Sequence, residues 1–387
     1  CYFFNLITMK RKFTLSFGFI FLFTSLLTPL SSAAAKAGAK CTKVNTTSTV
    51  LGFKYTCIKS GKKLIWSKGV AVSPVENLPA ATLQGPTSFD DLIQNYQGIS
   101  YAAWSKSREK ILKSTKTDIK LKFVMGPTSQ LTYKDPLTAI NLVSRLYAGY
   151  AYASEIYYMG FNYEDRNWAV DQMESILPNS GSGWITDVAC NTKQTCWGGG
   201  AFYNGTDRFL IVLAVGNLDI GHTSGTVEAH EFTHIVQQMS IKKNRPAQAF
   251  LYDPWPPTWY WEGQAHFSQH AAIYFESYES YMNARRNTSQ DLYRNSAFNS
   301  EHIRKYFVFN APEDWQNNYQ RWQQYDLGAM FVEVLTAIKG PDATMQMWKL
   351  AKDGIKFEEA FETVYGTPYS KALPIMAKAI ALQLGRN

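Results

Sequence analysis

The sequence predicts an α+β fold in which a mixed region with short strands precedes a mostly helical one. Three observations carry this. Residues 119–125 (IKLKFVM) alternate apolar and polar positions, as a half-buried strand does. Residues 209–215 (FLIVLAV) form a short unbroken apolar run, the pattern of a buried strand. Beyond Gly225 nearly every segment repeats with helical period. The chain has 387 residues, 45% hydrophobic, 15% aromatic and 18% charged. That is enough apolar content for a large core, it excludes a wholly disordered chain, and the length suggests about two to three domains.

The N-terminus reads as an address. Met9-Lys10-Arg11-Lys12 is a basic start, residues 15–30 (LSFGFIFLFTSLLTPL) are apolar, and Ser31-Ser32-Ala33-Ala34-Ala35 follow at once. This is the layout of a secretory signal over residues 1–35, starting at Met9 and cleaved near residues 33–37. The apolar stretch is close to the lower length limit for a membrane span, and the small residues after it favour cleavage. Gly38-Ala39-Lys40 before Cys41 is no lipobox. The expected location is secreted or at the cell surface, where disulfides are allowed. Cys1 leaves with the signal and four Cys remain, which allow three connectivities. Two local bridges, Cys41–Cys57 and Cys190–Cys196, are the simplest.

Residues 36–69 are expected to form a small basic module. Within 41–69 there are six Lys and no acid, and all 31 Asp and Glu of the chain lie later. Phe53, Tyr55 and Cys57 alternate with polar residues, Ser60-Gly61-Lys62 offers a turn, and Leu64-Ile65-Trp66 starts a return strand. A Cys41–Cys57 bridge would staple this hairpin, which is too small to stand alone. Its Lys residues suit an anionic cell-wall polymer or a membrane surface, or simply a solvated face. Nucleic acid is not an expected partner. Residues 70–86 carry Pro74, Pro79 and Pro86 and read as a linker.

Residues 87–387 make the main domain. Residues 92–112 read as helix. Asp135-Pro136 opens another, expected to run to residue 151, with Asp as cap and Pro in the first turn. Residues 155–160 read as a strand.

The chemistry concentrates in three places. His230-Glu231-Phe232-Thr233-His234 puts two imidazoles at i and i+4 on one helix face, within reach of one ion. Ala229, Phe232, Val236 and Met239 make an apolar stripe on another face. The pattern should arise by accident only about 0.004 times in a chain of this length and composition. Glu231 flanks the imidazole face, placed to accept a proton. Next, Trp259-Tyr260-Trp261-Glu262-Gly263-Gln264-Ala265-His266 offers a third ligand on a returning helix. Glu262, His266 and His270 share one face and are rivals for that role. Finally, Tyr325-Asp326-Leu327-Gly328 opens a helix with a hydroxyl able to donate to a developing oxyanion. Trp259 and Trp261 read as core residues, Glu228 as a first-turn helix acid, and His222 as a polar contact.

Together these motifs resemble the gluzincin metallopeptidases, zincins whose third ligand is Glu. The likeness is closest to secreted peptidase-MA-like families and spans about residues 88–387. Those carry the two-His helix, a Trp-containing segment ending in Glu-Gly-x-Ala, a Tyr-x-x-Gly helix, and a tail like KFEEAFETVYG, here residues 356–366. The resemblance implies a zincin-like fold with a mixed-sheet subdomain, a mostly helical subdomain, and the active-site cleft between them. It implies one Zn2+ per chain, held by His230, His234 and Glu262, with Glu231 as general base and Tyr325 at the oxyanion. Residues 36–69 resemble a Cys-Lys-Trp module found after the signal of secreted actinobacterial proteins.

Two positions depart from the family. Many gluzincins place an Asp four residues after the ligand Glu to orient the first His, and here that residue is His266. The Gly-x-Met-Glu-Asn element of the aminopeptidases is replaced by Trp197-Gly198-Gly199-Gly200-Ala201-Phe202. Loss of its Glu favours an endopeptidase. Gly198, Gly199, Gly200 and Ala201 are expected to bind substrate, along a sheet edge within 197–215. The expected partner is a peptide or protein substrate. The alternatives are an inactive zincin-fold binding protein at the cell surface and a zinc amidase acting on cell-wall peptides.

Overall fold

The computed structural model describes residues 36–50, 53–71, 84–150, 152–203, 208–216, 218–241, 257–308 and 323–386. The residues read as a signal, 1–35, and most of those read as a linker, 70–86, lie outside the described residues. The chain divides into two compact units, Cys1–Ala80 and Ala81–Asn387. Together they make a mixed α+β protein with one small sheet in each.

The first unit is a four-stranded antiparallel sheet. It comprises β1 (Thr47–Val50), β2 (Phe53–Ser60), β3 (Lys63–Trp66) and β4 (Val70–Ala71). β2 and β3 form the expected hairpin. Ser60 pairs with Lys63 and Cys57 with Trp66, and Gly61 takes the positive φ (60°) that the two-residue turn requires. Two strands were not expected: β1 and β4 both pair with β2. They are too short to show a period of their own. Cys41 and Cys57 are bridged and buried. Closing a loop of this size stabilises by about 3 kcal/mol.

The second unit opens with turns and then α1 (Ile99–Lys113). The helix starts at Ile99 and not at residue 92. The Asp91 carboxylate accepts the backbone N–H of both Thr87 and Ser88 (3.0 Å each), which ties the preceding chain into a turn. Gly98 then passes so close to Gln84 that a Cβ would lie 2.1 Å from the Gln84 carbonyl oxygen. β5 (Lys120–Met125) and α2 (Pro136–Leu146) follow. Asp135 caps α2 by accepting from the Thr138 N–H (3.2 Å). α2 ends at Leu146, short of residue 151, and Gly149 turns the chain with φ 96°. β6 (Glu155–Phe161), α3 (Arg166–Ile176), β7 (Gly199–Tyr203) and β8 (Phe209–Ala214) complete the mixed region.

The second sheet has the order β5-β6-β8-β7. β5, β6 and β8 are parallel, and β7 pairs antiparallel with β8 at one edge. On one face Met159, Phe161, Leu210, Val212 and Ala214 pack against Met173 and Leu177. Tyr158 points the other way, and its hydroxyl donates to Glu228 (2.9 Å).

The rest is helical: α4 (Ile220–Ser224), α5 (Thr226–Ile241), α6 (Thr258–Ile273), α7 (Tyr278–Thr288), α8 (Gln290–Arg294), α9 (Ser300–Val308), α10 (Gln323–Lys339), α11 (Pro341–Lys352), α12 (Phe357–Tyr365) and α13 (Tyr369–Gln383). Trp259 is fully buried and packs edge-on against Phe307, Phe331 and Phe357, which centres the core of this half. α6 and α10 cross in contact at Gly263 and Gly328: a Cβ on Gly263 would lie 2.2 Å from the Gly328 carbonyl carbon. Arg285 on α7 and Glu333 on α10 form a buried pair (2.7 Å), joined by the Ser100 hydroxyl at 3.2 Å. Among the described residues no helix is long and apolar enough to cross a membrane.

Candidate metal centre

α5 begins after Gly225, whose φ of 87° breaks it from α4. It is buried on almost every side, so its polar residues have to be matched inside the protein. His230 and His234 fall on one face, with ring centroids 4.8 Å apart. Their Nε2 atoms stand 3.1 Å from each other, and Glu262 Oε2 on α6 is 3.3 Å from each. An ion about 2.0–2.1 Å from three ligands in tetrahedral geometry sets them about 3.3 Å apart. The triangle has that size.

The outer nitrogens fix the direction of the inner ones. His230 Nδ1–H donates to Gln269 Oε1 (2.9 Å), and His234 Nδ1–H donates to Gln237 Oε1 (2.8 Å). Both Nε2 atoms then face Glu262, so two ring nitrogens and a carboxylate oxygen converge. Burial would raise the Glu262 carboxyl, but His234 and His230 outweigh it and hold Glu262 well below the ordinary carboxylate range. The buried group of His230, His234 and Glu262 could hold a metal ion, and its donor set fits one divalent ion.

Gln237 and Gln269 were not singled out from the sequence. Gln237 follows His234 by three positions, and its amide donates to the Trp261 carbonyl (3.0 Å) and to Gln264 Oε1 (2.9 Å). Gln264 Oε1 also accepts from Trp348 on α11 (2.6 Å). Gln269 follows Glu262 by two turns and donates onward to His270 Nε2 (3.1 Å). Amides at these spacings on two ligand-bearing helices were the available signal.

The rival ligands stand apart from the triangle. His270 turns Nε2 to Gln269, and burial holds it well below the ordinary range, neutral. His266 Nε2 faces Asp326 Oδ1 at 3.3 Å, its ring 6.2 Å from that of His230. His266 therefore leaves His230 alone, and Gln269 holds it.

Glu231 is buried beside the ligands. Burial, helped by Glu262 and Glu228 and opposed by His230, pushes it up to about 7. A Cβ on Gly199 would lie 2.8 Å from Glu231 Oε1, so the bare glycine leaves the space that this carboxyl uses. Tyr325 lies with its ring stacked 5.9 Å from the His230 ring. Trp261 packs 5.3 Å from His234 and lines the centre, whereas Trp259 belongs to the core.

Gly199, Gly200 and Ala201 lie on β7, and Gly198 enters it. The Ala214 N–H donates to the Gly198 carbonyl (2.8 Å), so the ladder to β8 is made at even positions. Gly199, Ala201 and Tyr203 turn their backbone groups away from β8. There Gln238 Nε2 donates to the Ala201 carbonyl (3.4 Å). The stretch 209–214 is not edge, because β8 lies inside the sheet. Cys190 and Cys196 are bridged just ahead of β7. His222 has the polar role expected, contacting Asp219 Oδ1 (2.9 Å) and the Trp197 carbonyl (3.0 Å). Glu228 is in the first turn of α5 but 2% exposed, and burial pushes it up to about 7.

Comparison with family models, with curated proteins and with solved structures finds no match.

Proposed function

We propose that the protein is an exported zinc endopeptidase with a zincin-like arrangement, in which the sheet edge at β7 and the helices α5, α6 and α10 border the cleft. The observation that carries this reading is the triangle of His230 Nε2, His234 Nε2 and Glu262 Oε2 with Glu231 beside it. Its dimensions and donors suit zinc, and three protein ligands leave the fourth position of a tetrahedral ion for water. Zinc held there would supply a Lewis acid and an activated water.

The chain's own residues supply the rest. Glu231, pushed up to about 7, is poised to take a proton from the attacking water and return it to the leaving amine. The Tyr325 hydroxyl donates to the carbonyl oxygen as charge builds on it. The Gly199 backbone and the Ala201 N–H pair with an extended substrate, and Gly199 lets it come close to Glu231. The two disulfides agree with an oxidising, extracellular setting. The lysines of residues 41–69 suit attachment to an anionic wall polymer or a membrane surface.

The test is metal content and casein proteolysis of the purified protein beside Glu231→Ala. One zinc per chain in both, with proteolysis in the wild type alone, is the expected result. Absence of zinc after reconstitution would overturn the ligand assignment. Zinc without casein cleavage, together with cleavage of cell-wall peptides, would replace the endopeptidase by an amidase.

A further inference from the structure

The chain entering β7 carries an apolar surface that the chemistry above leaves unused. Trp197 is 54% exposed, Leu218 81% and Ile220 67%. One contact, from the His222 side chain, joins the α4 segment to Trp197. The Trp197 N–H donates to the Ala189 carbonyl (3.2 Å), and His222 on α4 reaches the Trp197 carbonyl (3.0 Å). Trp197 also walls a cavity of about 380 Å³ with Tyr163, Cys196 and Val215. That volume falls in the range of small binding sites. The Lys193–Glu164 ion pair (2.8 Å) lines the same cavity, so its two charges offset each other.

The placement gives this surface a meaning. Gly199, which faces Glu231 Oε1, is two residues beyond Trp197. At about 3.3 Å per residue the Trp197 backbone stands roughly 7 Å along the chain from that of Gly199. The Trp197 carbonyl is already taken by His222. Main-chain pairing on β7 therefore stops at Gly199, and past it a bound strand meets apolar side chains. Main-chain pairing holds any extended sequence, while side-chain surfaces choose among them.

We propose that Trp197, with Leu218 and Ile220, is the specificity subsite of this centre. It takes a large apolar side chain of an extended peptide, within about two residues of the scissile bond. The proposal rests on the peptidase reading.

The test uses short peptides that differ only by Phe or Ser at one position near the cleaved bond. Cleavage is measured with the wild type, and binding with zinc-loaded Glu231→Gln. The Phe peptide is expected to be preferred about tenfold or more in both assays. Trp197→Ala should bring both ratios close to one, with zinc content unchanged, and Trp197→Leu should restore part of the preference. An unchanged ratio in Trp197→Ala overturns the subsite. So does a dimer that dissociates on Trp197→Ala while the ratio stays, which would assign the surface to self-association. If zinc-loaded wild type cleaves neither peptide but Glu231→Gln shows the stated binding ratios, the subsite stands and the peptidase reading falls. If both peptides are cleaved at equal rates, the peptidase reading stands and the subsite falls.

Discussion

Gly263 and Gly328 touch backbone to backbone where α6 crosses α10, and a Cβ on Gly328 would lie 2.2 Å from the Trp259 carbonyl oxygen. Each glycine belongs to a motif of the site. Gly263 follows Glu262, and Gly328 comes three residues after Tyr325. The close approach lets the Glu262 carboxylate and the tyrosine reach the same imidazole, that of His230.

Substituting either glycine should therefore separate these groups. Gly263→Ala and Gly328→Ala are each expected to destabilise by about 1–3 kcal/mol, the usual cost of overpacking. They should also weaken zinc binding. Thermal unfolding and zinc titration check both effects; a variant as stable and as zinc-replete as the wild type would contradict this account.

The amide partners of the imidazoles should matter for the metal. Gln269→Ala and Gln237→Ala each remove the acceptor that fixes one His ring. A loss of about 10–100-fold in zinc affinity is expected for each. Competition with a chelator measures it.

Gly199→Ala addresses the base without touching the ligands. The added methyl would meet Glu231 Oε1 at 2.8 Å and Leu213 at 2.9 Å. Zinc stoichiometry should persist while kcat falls by about 10²-fold, the cost of a displacement near 1 Å. Equal kcat values would remove Glu231 from its assigned place.

Glu228 gives a pH signature in the metal-free protein. Burial raises its carboxyl from 4.5 to about 7, so between those values the folded chain binds more protons than the unfolded one. Stability then falls as pH rises through that window, and the penalty is complete above about pH 7, near 3 kcal/mol. Glu228→Gln keeps an acceptor for the Tyr158 hydroxyl and removes the ionisation. It should raise Tm at pH 8 and leave it nearly unchanged at pH 4.

Arg285 and Glu333 predict a coupling. Glu333→Leu alone strands a buried guanidinium and should cost about 3–5 kcal/mol. Adding Arg285→Met should recover part of that, as read from denaturant midpoints of the two single variants and the double.

The facing imidazoles were legible because helical periodicity alone puts His230 and His234 on one face. Both disulfide pairings were legible because each Cys pair is local. The start of α1 was not, since Asp91 and the contact of Gly98 with Gln84 replaced a helical turn with a tighter one. The choice between Glu262, His266 and His270 was open too. All three share a face, and only the packing of α6 on α5 sets which one reaches the imidazoles.

The sequence by itself determined the elements, the two-His helix and its neighbouring Glu231, because these depend on spacing within one segment. The tertiary structure decided the rest: Gln237 and Gln269 behind the rings, Gly199 against Glu231, and the contact of Gly263 with Gly328. Each of these joins groups whose distance depends on how elements pack, and no local period encodes that distance.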